Sequence, residues 1–299
     1  MRARMAPRRA LGALHAGALM FGLAGVFGVL AQASAAMIVF GRAAFAVLTL
    51  GLFMSLSRQT GWQRLTAREA GQLFFAGVLL TTHWVTFFIA VKLGGVAIGT
   101  LGFASFPAFT VLLEGLAFGE KIHKRELSLV AIVTLGLVLV TPAFDFAAQS
   151  TQGLCWGIGS GLLFAILSLV NRAGAPRVGA VQAALCQNLV VAICLLPFIA
   201  TSLPGVSRLD WLWIALLGVF CTGIAHSLFV ASLKVVKART AAVVFALEPV
   251  YGIAFAWLIF SQAPSARMFL GGALIVATIA LSSLLGGQRS TSRAEQPKA

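Results

Sequence analysis

Residues 90–107 read AVKLGGVAIGTLGFASFP, and residues 232–249 read SLKVVKARTAAVVFALEP. At an offset of 142 residues, Lys92 falls on Lys234, Phe103-Ala104 on Phe245-Ala246, and Pro107 on Pro249. Further along, Arg125 falls on Arg267 and Ala131 on Ala273. From 92 to 139 only nine of 48 positions are identical, so the match rests more on shared hydropathy and proline position than on identity.

The surroundings of both stretches are unusually apolar. Of 299 residues, 60% are hydrophobic and 10% charged, too few charges to cover a water-soluble domain of this length. Lipid is the solvent such a surface needs, which excludes a soluble enzyme, a secreted disulfide scaffold and a disordered tail protein. Apolar runs of spanning character lie near 11–31, 36–57, 70–91, 96–118, 127–144, 153–171, 180–202, 211–233, 240–260 and 268–286. Ten helices leave only short connections and no soluble domain. The four cysteines, Cys155, Cys186, Cys194 and Cys221, all fall inside apolar runs without metal-ligand spacing and read as small core residues.

The net charge of +14 forms no contiguous basic face, so no nucleic-acid partner is expected. The 22 basic residues instead alternate by segment. With a cytoplasmic N-terminus, 18 of them fall in inside segments and three (Lys92, Arg208 and Arg267) outside, with Arg42 within the second span. Adding or removing one helix would destroy that contrast, so both termini are expected inside. Each half then holds five helices, residues 1–147 and 148–288, followed by a cytoplasmic tail, 289–299. An odd number makes the second copy enter from the opposite side. The charges agree: Lys121, Lys124 and Arg125 mark one turn whose counterpart, Ser261–Arg267, carries one basic residue. The basic head and Ala33-Ser34-Ala35 also resemble a cleavable signal peptide, but the apolar run exceeds the usual h-region, and a retained first helix is expected. The fold class is therefore an all-α membrane protein of ten transmembrane helices in two inverted five-helix repeats, whose halves can rock about a midplane site.

Ala90-Val-Lys92 through Phe106-Pro107 to Gly119-Glu120, Ser232-Leu-Lys234 through Glu248-Pro249, and Arg42 together resemble the EamA-type drug/metabolite transporters, over nearly the whole chain. The resemblance implies a carrier of small metabolites, often outward, in a bacterial inner membrane. It also implies a cavity lined by helices 1–4 and 6–9, with helices 5 and 10 peripheral. Where the family usually repeats Gly-Glu, this chain has Ser261-Gln262.

Several polar residues fall inside the spans. Pro107 and Pro249, read as mid-span, each free the carbonyl four residues earlier, Phe103 or Phe245. The result is either a tolerated kink or a bent pair flanking a cavity, with the freed carbonyls facing a substrate amine. Glu248, about 12 Å into the ninth span at 1.5 Å per residue, is expected to be a proton carrier, a partner for a cationic group, or a structural hydrogen-bonding acid. Glu114 reads as snorkelling or structural. Arg42 either binds a substrate carboxylate bidentately or pairs with a glutamate. His83 and His226, on the third and eighth spans, either shuttle protons and bind substrate or are satisfied structural groups. Trp84, Tyr251, Gln187, Asn188 and Asn171 complete the expected lining, although aromatic residues also serve packing. Gly153, Gly157 and Gly161 mark a close helix contact on the sixth span.

These readings favour a secondary transporter for a small metabolite such as an amino acid, with protons as a candidate coupled ion and no cofactor. Neither a Walker motif nor a Gly-rich phosphate loop is present. An intramembrane enzyme lacks its motifs, and a passive channel is the third alternative.

Overall fold

The computed structural model describes residues 7–56, 62–118, 124–140, 145–173, 178–225, 228, 244 and 247–278. His226, the pair Gly119-Glu120, Lys234, Lys237, Arg239, Phe245 and the side chain of Glu114 lie outside the described residues.

Every regular element among the described residues is helical. The long runs without polar interruption become α1 (Pro7–Leu30), α2 (Ala35–Leu56), α3 (Ala67–Phe103), α4 (Phe106–Phe118), α5 (Lys124–Val140), α6 (Gln149–Ala173) and α7 (Ala180–Ile199). A 3-10 turn at Ala200–Gly205 leads to α8 (Arg208–Gly218), which runs into a π-helical turn at Val219–Ile224. The described chain closes with α9 (Glu248–Phe260) and α10 (Ala266–Thr278). Five stretches are long and apolar enough to cross a membrane: Arg8–Leu30, Ala35–Leu56, Ala67–Leu113, Gln149–Asn171 and Val181–Gly205. Leu48, Phe74, Leu116, Phe198 and Leu258 stand exposed on the outside of the bundle, a surface that suits lipid and not water. The chain is a multi-pass membrane protein.

The division expected across Lys92–Gly95 is present but lies inside α3. Gly95 sits at φ 78, ψ 172, a conformation that L side chains rarely adopt, and it kinks the helix there. The fourth span is also not one helix. It breaks at Ala104-Ser105, where Ser105 N–H turns back to the Gly102 carbonyl, and α4 restarts at Phe106. Pro107 therefore occupies the first turn of a new helix, where its missing N–H has no intrahelical partner to lose. Pro249 does the same in the first turn of α9. The expectation of two mid-helix prolines is thus corrected: both follow helix starts.

Packing is set by glycines. A Cβ on Gly153 would lie 2.6 Å from the Gly94 nitrogen, one on Gly157 2.9 Å from the Gly99 carbonyl oxygen, and one on Gly161 2.9 Å from that of Phe103. The expected glycine ladder of α6 is thus a backbone-to-backbone seam with α3. The seam runs close to the Phe103 carbonyl. Elsewhere α2 lies against α7 and α8, α3 against α7, α1 against α8 and α9, and α4 against α6. Gly136 of α5 meets Ile275 and the Gly271 carbonyl of α10. Helix α1 belongs to this bundle, with Leu14 and Ala18 fully buried.

Candidate functional site

Small residues let α8 approach α2. A Cβ on Gly218 would lie 2.7 Å from the Arg42 carbonyl oxygen, so only glycine permits this separation. Directly after Gly218 the backbone widens into the π-helical turn, a feature that recurs at functional sites. It carries Thr222 to the Arg42 guanidinium, whose Nε and Nη2 donate to Thr222 Oγ1 at 3.2 and 3.0 Å. Thr222 Oγ1 in turn donates to the Leu217 carbonyl at 3.2 Å.

Arg42 is 3% exposed. Its Cζ lies 3.9 Å from the centroid of the Trp84 ring and 5.5 Å from that of Phe88. A cation over an aromatic face away from water gains about 2 kcal/mol, which offsets part of its burial. Trp84 therefore supports Arg42. A guanidinium has five N–H donors. Thr222 accepts from Nε and Nη2, and among the described residues Nη1 has no acceptor and no carboxylate forms an ion pair with Arg42.

Glu248 is corrected in position. It does not lie deep within a helix but opens α9, where the positive end of the helix dipole favours a carboxylate. Its side chain is partly buried and within electrostatic reach of Arg42 and Cys221. Among the described residues it forms no ion pair. Pro249 is buried beside it, and Tyr251 packs with Leu14 and Ala18 of α1. The chain thus brings Arg42, Trp84 and Glu248 into one region.

His83 belongs to a different contact. Its Nδ1 lies 2.8 Å from Ser160 Oγ and 3.1 Å from the Ser160 carbonyl, while Ser160 Oγ donates to the His83 carbonyl at 3.0 Å. Phe103 and Phe164 flank the ring at centroid distances of 5.3 and 5.0 Å. This aromatic-walled imidazole ties α3 to α6 through Nδ1. Ser160→Ala should lower stability by about 1–3 kcal/mol by removing the buried Oγ contacts to His83 Nδ1 and the His83 carbonyl, read as a lower unfolding temperature in detergent. Gln187 Nε2 donates to Asn171 Oδ1 at 2.8 Å, joining α7 to α6. Asn188 Nδ2 donates to the Ala184 carbonyl at 2.8 Å, and its buried Oδ1 has no partner among the described residues.

Sequence reading missed the roles of Thr222 and Ser160. Hydroxyls are ordinary in membrane helices, and neither a π-helical turn nor a partner on another helix leaves a local pattern.

The EamA-like transporter family matches residues 9–141 and again residues 151–284. The chain belongs to the EamA-like transporter family. It is 24% identical over 269 residues to the uncharacterized transporter YxxF of Bacillus subtilis, covering 88% of this chain and 86% of that one. It is 27% identical over 251 residues to the pseudopaline exporter CntI of Pseudomonas aeruginosa, covering 83% and 86%. A crystal structure shares the fold at a TM-score of 0.66 and 21% identity, over 97% of this chain and 99% of that chain. This EamA-like chain is a membrane transporter, and its relatives point away from an enzyme.

Proposed function

We propose that this EamA-like transporter carries a small zwitterionic metabolite such as an amino acid, outward, by alternating access between two inverted five-helix halves. One observation carries the substrate reading. A buried arginine with donors to spare and a carboxylate opening another helix share one region without forming an ion pair. A ligand with a carboxylate for Arg42 and an ammonium for Glu248 satisfies both, and charge-assisted bonds are strong away from water. Packing supports the inverted halves: α3 on α6 is answered by α8 on α1, α2 on α8 by α7 on α3, and α4 on α6 by α9 on α1. These are the pairs that exchanging the halves would generate. The name of the Pseudomonas relative supports the outward direction. The proposed setting is a bacterial inner membrane, with both termini cytoplasmic and protons as the coupled ion.

The test is counterflow in proteoliposomes preloaded with unlabelled amino acids, using labelled amino acids outside. Saturable counterflow, lost when the carboxylate is amidated or the amine acetylated, is the expected result. Equal uptake of the blocked compounds would overturn the zwitterion reading, and flux without counterflow would indicate a channel. Glu248→Gln should flatten the dependence of transport on pH. Identical pH profiles for wild type and variant would remove Glu248 as the proton carrier.

A further inference from the structure

Helices α3 and α8 start alike. Thr66 caps α3, accepting from Glu69 N–H at 3.3 Å, while Thr66 N–H donates back to Glu69 Oε2 at 2.8 Å. Ser207 caps α8, accepting from Asp210 N–H at 3.0 Å and donating to Asp210 Oδ2 at 2.8 Å. Ser207 and Asp210 each stand 141 residues after Thr66 and Glu69, so the two caps are repeats of one another at opposite ends of the inverted arrangement.

Each cap adjoins a polar link between the halves. At the α8 end, the backbone N–H of Gln32, between α1 and α2, donates to Asp210 Oδ1 at 2.6 Å. Lys92 Nζ donates to the Ala31 carbonyl at 3.0 Å, holding the same connection against α3. At the α3 end, Gln63 N–H donates to Gln182 Oε1 at 3.0 Å, and Gln182 Nε2 donates to the Gln63 carbonyl at 2.8 Å. Asp210 and Gln182 belong to the second half, and Gln32 and Gln63 to the first. The Asp210 and Gln182 side chains are largely withdrawn from solvent, where hydrogen bonds compete less with water.

We propose that Asp210–Gln32 and Gln182–Gln63 are paired latches that close opposite ends of the carrier, both engaged in this structure, and that one must release for each direction of opening. The proposal rests on the alternating-access reading. It assigns closure to two short polar contacts and not to the apolar seams. The Gln182 latch joins a side-chain amide to both polar groups of one backbone residue, whereas the Asp210 latch joins a carboxylate to a backbone donor, so each is removable by a single substitution.

The experiment uses paired nitroxide labels in a cysteine-free background, in liposomes. Ser34→Cys with Arg208→Cys reports the α8 end, and Arg64→Cys with Gly179→Cys reports the α3 end; these are exposed positions. Asp210→Ala should add a longer-distance population to the first pair and leave the second unchanged. Gln182→Ala should do the reverse. Ser207→Ala, which removes the cap but keeps Asp210 for Gln32, should leave both pairs near wild type. Unchanged distances in either latch variant, or both pairs lengthening together as packing fails, would overturn the proposal. Counterflow of labelled amino acid, measured in wild type, separates the two readings: distances that respond as stated without counterflow retain the latches and remove the carrier.

Discussion

Arg42→Lys is expected to weaken substrate binding by about 10–100-fold while leaving the protein folded. The arginine places two donors on Thr222 and a flat face on Trp84, and among the described residues its Nη1 has no acceptor. An ammonium keeps the charge but is a compact point with three rotating donors, so it cannot hold Thr222 and present a planar pair together. Losing one charge-assisted hydrogen bond costs about 1.5–3 kcal/mol, which gives the stated range. Affinity is read by titration calorimetry with the amino acid that supports counterflow, and folding by the elution profile in detergent. Retained affinity would remove carboxylate recognition at Arg42. Thr222→Val, which keeps shape and removes the anchor, should give an affinity between that of Arg42→Lys and that of wild type in the same titration, and Thr222→Ser should restore binding.

Gly153→Leu is expected to prevent assembly of the bundle. The seam between α6 and α3 is backbone against backbone, with the Gly94 nitrogen and Cα at 2.6 and 2.7 Å from the position a Cβ would take. Neither atom is the end of a flexible side chain, so relief requires separating two helices along their contact. Overpacking costs about 1–3 kcal/mol where neighbours can shift and more where they cannot. Gly159 lies on the same helix with nothing within 4 Å of its Cβ position. Gly159→Leu should therefore behave as wild type, and it serves as the internal control for expression and monodispersity on size-exclusion chromatography. Equal behaviour of the two variants would show that the seam does not limit assembly.

Much of this architecture follows from residue types read along the chain. Apolar length fixes helices wherever lipid surrounds the chain, because every backbone N–H and C=O must be satisfied within the helix. Glycines at four-residue spacing mark a seam because only they let two backbones touch, and Gly153, Gly157 and Gly161 form one. Arg42 is legible as a site for a related reason: a cation in an apolar run needs support.

The nature of that support came only from tertiary structure. Thr222 stands 180 residues from Arg42, and Trp84 reaches it from a third helix. Distant segments also set the surroundings of His83, where Ser160 meets Nδ1 and two phenylalanines flank the ring. Pro107 and Pro249 show the limit most directly. A proline announces an interrupted hydrogen-bond ladder, but whether the helix bends through it or ends and restarts depends on the segments packed around it. At Pro107 the break falls before the proline, where Ser105 N–H and Oγ donate to the Gly102 carbonyl and the bare face of α6 lies against the turn. Local composition determines which segments are helices; contacts between distant segments determine which of their polar groups remain available to a ligand.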